Sequence, residues 1–195
     1  MERRASVSRS TGETKIEVEL DLDGTGTCDV KTGVGFFDHM LCALGRHSLV
    51  DLRVRAEGDS WVDDHHTVED VGIVLGRAIS EALGDKAGIR RFGDALVPMD
   101  ESLVLAAIDL SGRGELYWEL PIAAQKVGSF DTELGQEFFV GLAREAGMTL
   151  HIRELDGSNA HHLLECCFKA FARALRSAVE PDPRVEGIPS TKGSL

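Results

Sequence analysis

The sequence predicts an α+β fold, a two-layer sandwich built from an internal duplication in which each half runs β-strands, helix, strand, helix. Three observations predict it. The pattern Asp64-His65-His66-Thr67-Val68-Glu69 returns as Ala160-His161-His162-Leu163-Leu164-Glu165, with His161 standing 96 residues after His65 in a chain of 195. Alternating and helical apolar periods follow one another in the same order on both sides of the midpoint. The alternating runs carry one apolar face, which needs a helix layer over it.

The elements follow in order. Residues 7–10 and 14–20 alternate as strands, with Ile16, Val18 and Leu20 on one face. Asp23-Gly24-Thr25-Gly26 is a turn signal. Residues 35–46 read as a short helix carrying Phe36, Met40 and Leu44, and 49–56 as a further strand. After the turn Glu57-Gly58-Asp59, residues 63–83 form a long amphipathic helix through Val68, Val71, Leu75 and Ile79. In the second half, 103–110 and 115–119 are strand-like around the turn Ser111-Gly112-Arg113-Gly114. Residues 132–146 then read as a helix, 149–154 as a strand and 159–179 as a long helix. An offset of 98 places Leu52 and Val54 on Leu150 and Ile152, and His39 on Glu137. A loop shorter by two residues then gives the offset of 96. The strands that open each half are expected to pair antiparallel. The domain plan is a first repeat over 1–90, a second over 91–180, and an irregular tail over 181–195 rich in Pro, Gly and Ser.

Composition narrows the function. Hydrophobic residues make up 43% and charged residues 28%, ordinary values for a globular protein. No apolar run approaches the roughly 20 residues of a membrane span, and the N-terminus lacks the apolar stretch of a secretory signal. A cytoplasmic location is the expectation, with no membrane partner. Cys28 and Cys42 are scattered, Cys166 and Cys167 adjacent, and no CxxC occurs; all four are expected to be reduced core residues. A formal net charge of −12 argues against nucleic acid as a partner. An anionic substrate would need cations gathered locally against that field.

The repeated motif carries metal-site chemistry. Helix positions i, i+3 and i+4 share a face, so each Glu can align with either His of its own pair. Adjacent residues diverge by roughly 100° around a helix, so two neighbouring imidazoles do not grip one ion. The economical reading is two ions per site, with each His-His pair feeding both.

Further stretches carry a resemblance. They are Arg9-Ser-Thr-Gly-Glu-Thr14, Gly33-Val-Gly-Phe-Phe-Asp-His-Met-Leu41, Asp64-His-His-Thr-Val-Glu-Asp70, Arg91-Phe-Gly-Asp94, Pro98-Met-Asp-Glu101, Asp109-Leu-Ser-Gly-Arg113, Thr149-Leu-His-Ile152, Asn159-Ala-His-His162, Phe168-Lys-Ala-Phe-Ala-Arg-Ala-Leu175 and Pro189-Ser-Thr-Lys-Gly193. Collinear over nearly the whole chain, they resemble the imidazoleglycerol-phosphate dehydratase family, manganese-dependent lyases of histidine biosynthesis. The resemblance implies a duplicated fold, a large homo-oligomer (24 subunits in the family) and active sites at subunit interfaces. It implies dehydration of imidazole glycerol phosphate to imidazole acetol phosphate, with two Mn2+ ions per active site stabilising an imidazolate.

Carried over by position, the resemblance implies His39, His65, His66, Glu69, Glu137, His161, His162 and Glu165 as metal ligands. Glu137 stands where many members have His, and His151 is the competing eighth ligand. The resemblance implies Glu13 as the acid/base group. It implies His47, Arg91, Arg113, Ser190, Thr191 and Lys192 as substrate contacts, the cations and tail hydroxyls meeting phosphate. Cys42 and Ala43 depart from the Asp and Gln common there. Two rival readings are a dinuclear metallohydrolase, which would release inorganic phosphate, and a metal-storage shell, which would need neither Glu13 nor Lys192.

Overall fold

The computed structural model describes residues 2–195; Met1, the first residue of the repeat expected over 1–90, lies outside them. The first half runs β1 (Arg4–Ser10), β2 (Thr14–Asp21), β3 (Cys28–Lys31), α1 (Gly35–Ser48), β4 (Asp51–Gly58) and α2 (His65–Leu83). The second runs β5 (Phe92–Met99), β6 (Ser102–Asp109), β7 (Glu115–Glu119), the hairpin β8 (Lys126–Val127) and β9 (Phe130–Asp131), α3 (Leu134–Ala146), β10 (Thr149–Asp156) and α4 (Ala160–Val179). One sheet is ordered β1-β2-β4-β3 and the other β5-β6-β10-β7. These are the same order once the hairpin, which only the second half carries, is set aside. The duplication therefore extends to sheet topology.

The period-two pattern explains each sheet. In β2, Ile16, Val18 and Leu20 are buried and Lys15, Glu17 and Glu19 exposed, with Val18 facing Val54 and Leu20 facing Leu52 of β4. Each half is the expected two-layer unit. The halves meet helix layer to helix layer, α2 against α3 and α1 against α4, so the four helices lie between the two sheets. Phe37, Phe138, Phe139, Phe168 and Phe171 fill that middle. Two glycines let α2 and α3 approach closely. A Cβ on Gly72 would sit 2.3 Å from the Phe138 carbonyl oxygen, and one on Gly76 2.5 Å from that of Leu142.

Several expectations are corrected. Both sheets are mixed, because β3 pairs parallel with β4 and β7 parallel with β10. β3, β5 and the hairpin β8–β9 carry no strand signal in the sequence reading. β5 holds Gly93 and Pro98, which read against a strand; as an edge strand it tolerates a missing N–H. Gly93 is required there by α4, since a Cβ would lie 2.1 Å from the Ala174 carbonyl oxygen. Cys28 and Cys42 are not reduced: they form a disulfide across a sequence separation of 14, joining β3 to α1. Cys166 and Cys167 are free and buried, as expected. The tail 181–195 has no helix or strand among its residues beyond an isolated bridge from Pro181 to Ile89. Among the described residues no helix is long and apolar enough to cross a membrane.

Candidate metal centre

Both His-His pairs open a long helix. Asp63 Oδ1 accepts from the His65 N–H at 2.8 Å, and Asn159 Oδ1 accepts from the His161 and His162 N–H groups at 2.9 and 3.3 Å. These polar residues satisfy donors that the first helical turn leaves free. The neighbouring rings diverge as the helical spacing requires. Their centroids are 6.0 Å apart at His65–His66 and 6.1 Å at His161–His162, with interplanar angles of 84° and 83°.

His39, His161 and Glu165 converge. Glu165 Oε2 lies 3.1 Å from His161 Nε2 and 3.4 Å from His39 Nε2. The three ligand atoms lie within 4.8 Å of one another, and among the described residues no other three His, Cys, Asp or Glu ligand atoms group so closely. α1 supplies His39 and α4 the other two, so the cluster forms where the halves meet. Glu165 is only 8% exposed. Burial raises its carboxyl pKa, but the Lys169 ammonium, 2.7 Å from Oε1, together with His161 and His39 outweighs burial and leaves a net downward shift. A buried carboxylate held in its charged form beside two imidazole nitrogens is a donor set for a divalent cation.

His66 and His162 point elsewhere, each held through Nδ1. Asp59 Oδ2 lies 3.0 Å from His66 Nδ1, and Glu101 Oε2 lies 2.8 Å from His162 Nδ1. These hydrogen bonds raise both imidazole pKa values. The same contact with His162 holds the Glu101 carboxyl down at about 2. A carboxylate on Nδ1 fixes the tautomer that leaves Nε2 as a free lone pair, the arrangement usual behind metal-bound histidines. Glu13 sits at the β1–β2 tip, with Oε2 3.9 Å from His66 Nδ1. Glu101 occupies the corresponding β5–β6 tip of the second half.

The second expected half-site is looser. His65 Nε2 is 3.9 Å from Glu69 Oε2. Glu137 lies in the first turn of α3, the helix against α2, but unlike His39 it makes no ion pair or hydrogen bond with this corner among the described residues, and His65, Glu69 and Glu137 do not converge as His39, His161 and Glu165 do. His151 does not reach either corner. It is exposed on the face of β10 that points away from the helices, and its ring stacks on Tyr117 at 4.4 Å. His47 is half-buried near Lys169 and Glu165; burial first, then Lys169 and Arg173, lower its pKa.

The predicted phosphate residues gather in a different place. Arg91 donates from Nε and Nη2 to Asp109 at 2.7 and 3.1 Å and from Nη1 to the Pro189 carbonyl at 2.9 Å. Arg113 Nη2 approaches the same Asp109 at 3.7 Å. The Pro189 bond brings Ser190, Thr191 and Lys192 to this corner. Lys86 lies buried below, donating to the Leu110 carbonyl at 3.3 Å. Asp109 ends β6, whereas Glu101, the partner of His162, precedes its first residue. Eight strand residues at about 3.3 Å each set the two corners roughly 25 Å apart.

Asp59, Glu101, Lys169 and Asp109 were not singled out from sequence. Lys169 had a signal, its i+4 spacing from Glu165. The other three stand in turns or at a strand end, where an isolated carboxylate carries no periodicity.

Comparisons with known proteins show the family. The family model for imidazoleglycerol-phosphate dehydratase matches residues 32–175. A dehydratase of that name from Acidiphilium cryptum is 63% identical over 196 residues, covering 100% of both chains. One from Paracoccus denitrificans is 61% identical over 194 residues, 99% of this chain and 100% of the relative. The crystal structure of the Staphylococcus aureus enzyme superposes with a TM-score of 0.84 at 38% identity, over 92% of this chain and 99% of that one. That from Pyrococcus furiosus gives 0.84 at 39% identity, over 97% and 100%. With the duplicated topology, the His-His-x-x-Glu helices and full-length relatives in accord, the chain belongs to the imidazoleglycerol-phosphate dehydratase family.

Proposed function

We propose that this chain dehydrates imidazole glycerol phosphate to imidazole acetol phosphate in histidine biosynthesis, with two Mn2+ ions per active site, as a large homo-oligomer of the cytoplasm. The observation that carries the reading is the convergence of His39 Nε2, His161 Nε2 and Glu165 Oε2 on one point. Mixed imidazole and carboxylate donors suit manganese. His39, His161 and Glu165 would hold one ion. By the repeat, His65, Glu69 and Glu137 would hold the other. His66 and His162, turned away with Nδ1 held by carboxylates, would complete the shells of neighbouring copies. Bound there, the ions would act as Lewis acids on the two ring nitrogens and let the substrate ring carry charge as an imidazolate.

The chemistry asks for such a site. The proton to be removed sits on carbon beside the imidazole, and no carbonyl is there to accept the electron pair. Glu13, on an exposed hairpin tip beside His66, would take the proton and return it to the departing hydroxyl. Arg91, Arg113, Ser190, Thr191 and Lys192 would bind the phosphate, with Asp109 orienting the two guanidinium groups. The substrate is far shorter than the roughly 25 Å between this corner and Glu101. Its ring and its phosphate must therefore be gripped by different copies, which supports sites at subunit interfaces.

The test is turnover of imidazole glycerol phosphate, followed by the enol absorbance of the product in alkali, with chelated protein and with Mn2+ restored. Product formation that requires Mn2+ is expected. Release of inorganic phosphate instead, or turnover indifferent to thorough chelation, would overturn the reading.

A further inference from the structure

We infer that Phe36 is a positioning residue for one of the two metal half-sites, setting the ring of His161 by packing rather than by a hydrogen bond. This rests on the proposed function, in which His161 is a ligand. His66 and His162 each have a carboxylate on Nδ1 that fixes the ring. His161 has none; its polar contact is through Nε2, to Glu165. Of the rings packed on it, the nearest is that of Phe36, edge-on at 5.2 Å between centroids and 72° between planes, against 6.1 Å for His162 and 6.3 Å for His39. Phe36 stands one helical turn before His39, so it shares the face of α1 that looks at α4.

Phe36 is itself braced. Phe130, 1% exposed, lies 5.2 Å from it and stacks at 6.3 Å on Phe37. Phe130 opens β9, in the hairpin that only the second half carries. The first half reaches across with two phenylalanines, Phe36 onto His161 of α4 and Phe37 onto Phe138 of α3, and the insertion of the second half packs on both. At the repeat-related positions, 98 residues on, stand Leu134 and Gly135. No aromatic ring other than that of His66 stands against His65 among the described residues. The two half-sites, which already differ by Glu137 standing where the other has His39, thus differ also in what orients them.

The test is Mn2+ titration of the chelated full-length protein, followed by electron paramagnetic resonance, for the wild type, Phe36→Leu and Phe36→Tyr. Two equivalents per chain are expected for the wild type. In Phe36→Leu one equivalent should be unchanged and the other weakened about tenfold or more, the usual cost of losing a group that orients a metal-bound histidine. Phe36→Tyr, which keeps the ring, should restore it. Phe36→Leu with both equivalents at wild-type affinity would overturn the inference. So would equal weakening of both, which marks general destabilisation; the melting temperature in chelator checks the same point. A wild type that binds no Mn2+ would overturn the proposed function itself, and the inference with it.

Discussion

Gly72→Ala sets two opposing effects against each other, and the structure decides between them. Alanine in a helix interior is favoured over glycine by about 1 kcal/mol, so on an exposed helix the change would stabilise. At position 72 the added methyl would lie 2.3 Å from the Phe138 carbonyl oxygen, 3.1 Å from its carbon and 3.2 Å from its Cα. An ordinary contact needs about 1 Å more than the first of these, and the obstacle is helical backbone, which does not rotate away. α2 and α3 must therefore separate, thinning the contacts of Phe138 and Phe139 in the middle of the molecule. Overpacking of this kind typically costs 1–3 kcal/mol, and backbone against backbone belongs at the upper end. After the propensity gain, a net loss of about 1–2 kcal/mol remains. At roughly 2–4 °C per kcal/mol for a chain of this size, the melting temperature should fall by about 2–8 °C. Because α2 carries His65 and Glu69 and α3 carries Glu137, one Mn2+ equivalent should weaken as well. Gly12→Ala is the control: nothing lies within 4 Å of the point where its methyl would stand, and its φ is not positive. Thermal melts of the chelated proteins decide the matter. A Gly72→Ala protein as stable as the wild type would refute the close-helix reading.

Glu13→Gln should lose most of kcat, on the order of 10²–10⁴, while keeping metal content and assembly; near-normal turnover with lost metal would reverse its assignment. Lys192→Ala should mainly raise KM, since a phosphate contact acts on ground and transition states alike. Glu137→Ala should lower bound Mn2+ by atomic absorption while His151→Ala leaves it unchanged, and the opposite pair of results would move the eighth ligand to His151. Asp59 and Glu101 raise the pKa values of His66 and His162, and these rings must be neutral to bind metal. Mn2+ affinity should therefore begin to fall on acidification at a pH above the usual imidazole value of about 6.5, and excess Mn2+ should move the fall lower; a profile blind to Mn2+ concentration would contradict this. In the metal-free protein the sign for stability is the reverse. The raised imidazoles contribute below about 6.5 and lose their contribution as pH rises through their folded values, while Glu101 contributes above its usual range and loses it only as pH falls toward about 2. Finally, Glu165→Gln and Arg113→Ala chains, each inactive alone, should regain activity when co-assembled, because the groups they lack come from different copies; no recovery would place the whole site in one chain.

The parts of this molecule legible in sequence are those that repeat or alternate. Ile16, Val18 and Leu20 announce β2, and the paired His-His-x-x-Glu motifs announce two helix starts and the divergence of the neighbouring rings. β5 was hidden because Gly93 and Pro98 answer to α4 and to the sheet edge, which lie far along the chain or off it. The Cys28–Cys42 bond was hidden because their approach depends on β3 lying beside β4 in parallel, a pairing with no local signal. Asp59 and Glu101 were hidden because a turn carboxylate looks the same whether it meets solvent or an imidazole.

Duplication explains both the economy and the incompleteness of the site. One helix motif, copied, gives two corners, and under the proposed function each would borrow its third ligand from the opposite half: His39 on α1 meets α4, and Glu137 stands on α3, the helix against α2. That exchange would make the helix interface part of the metal chemistry, so packing faults such as Gly72→Ala should carry over into ligand placement. It leaves His66 and His162 outside the cluster with their tautomers already set, and the cations around Asp109 roughly 25 Å away along β6. Neither feature has a use inside one chain. Both would have one if copies meet with His66 or His162 of one against the His39–His161–Glu165 cluster of another, and the arginine corner of a third surface closing over the phosphate. The locally concentrated cations then also answer the charge problem, since a chain of −12 must attract an anionic substrate by the field of a few residues held close together.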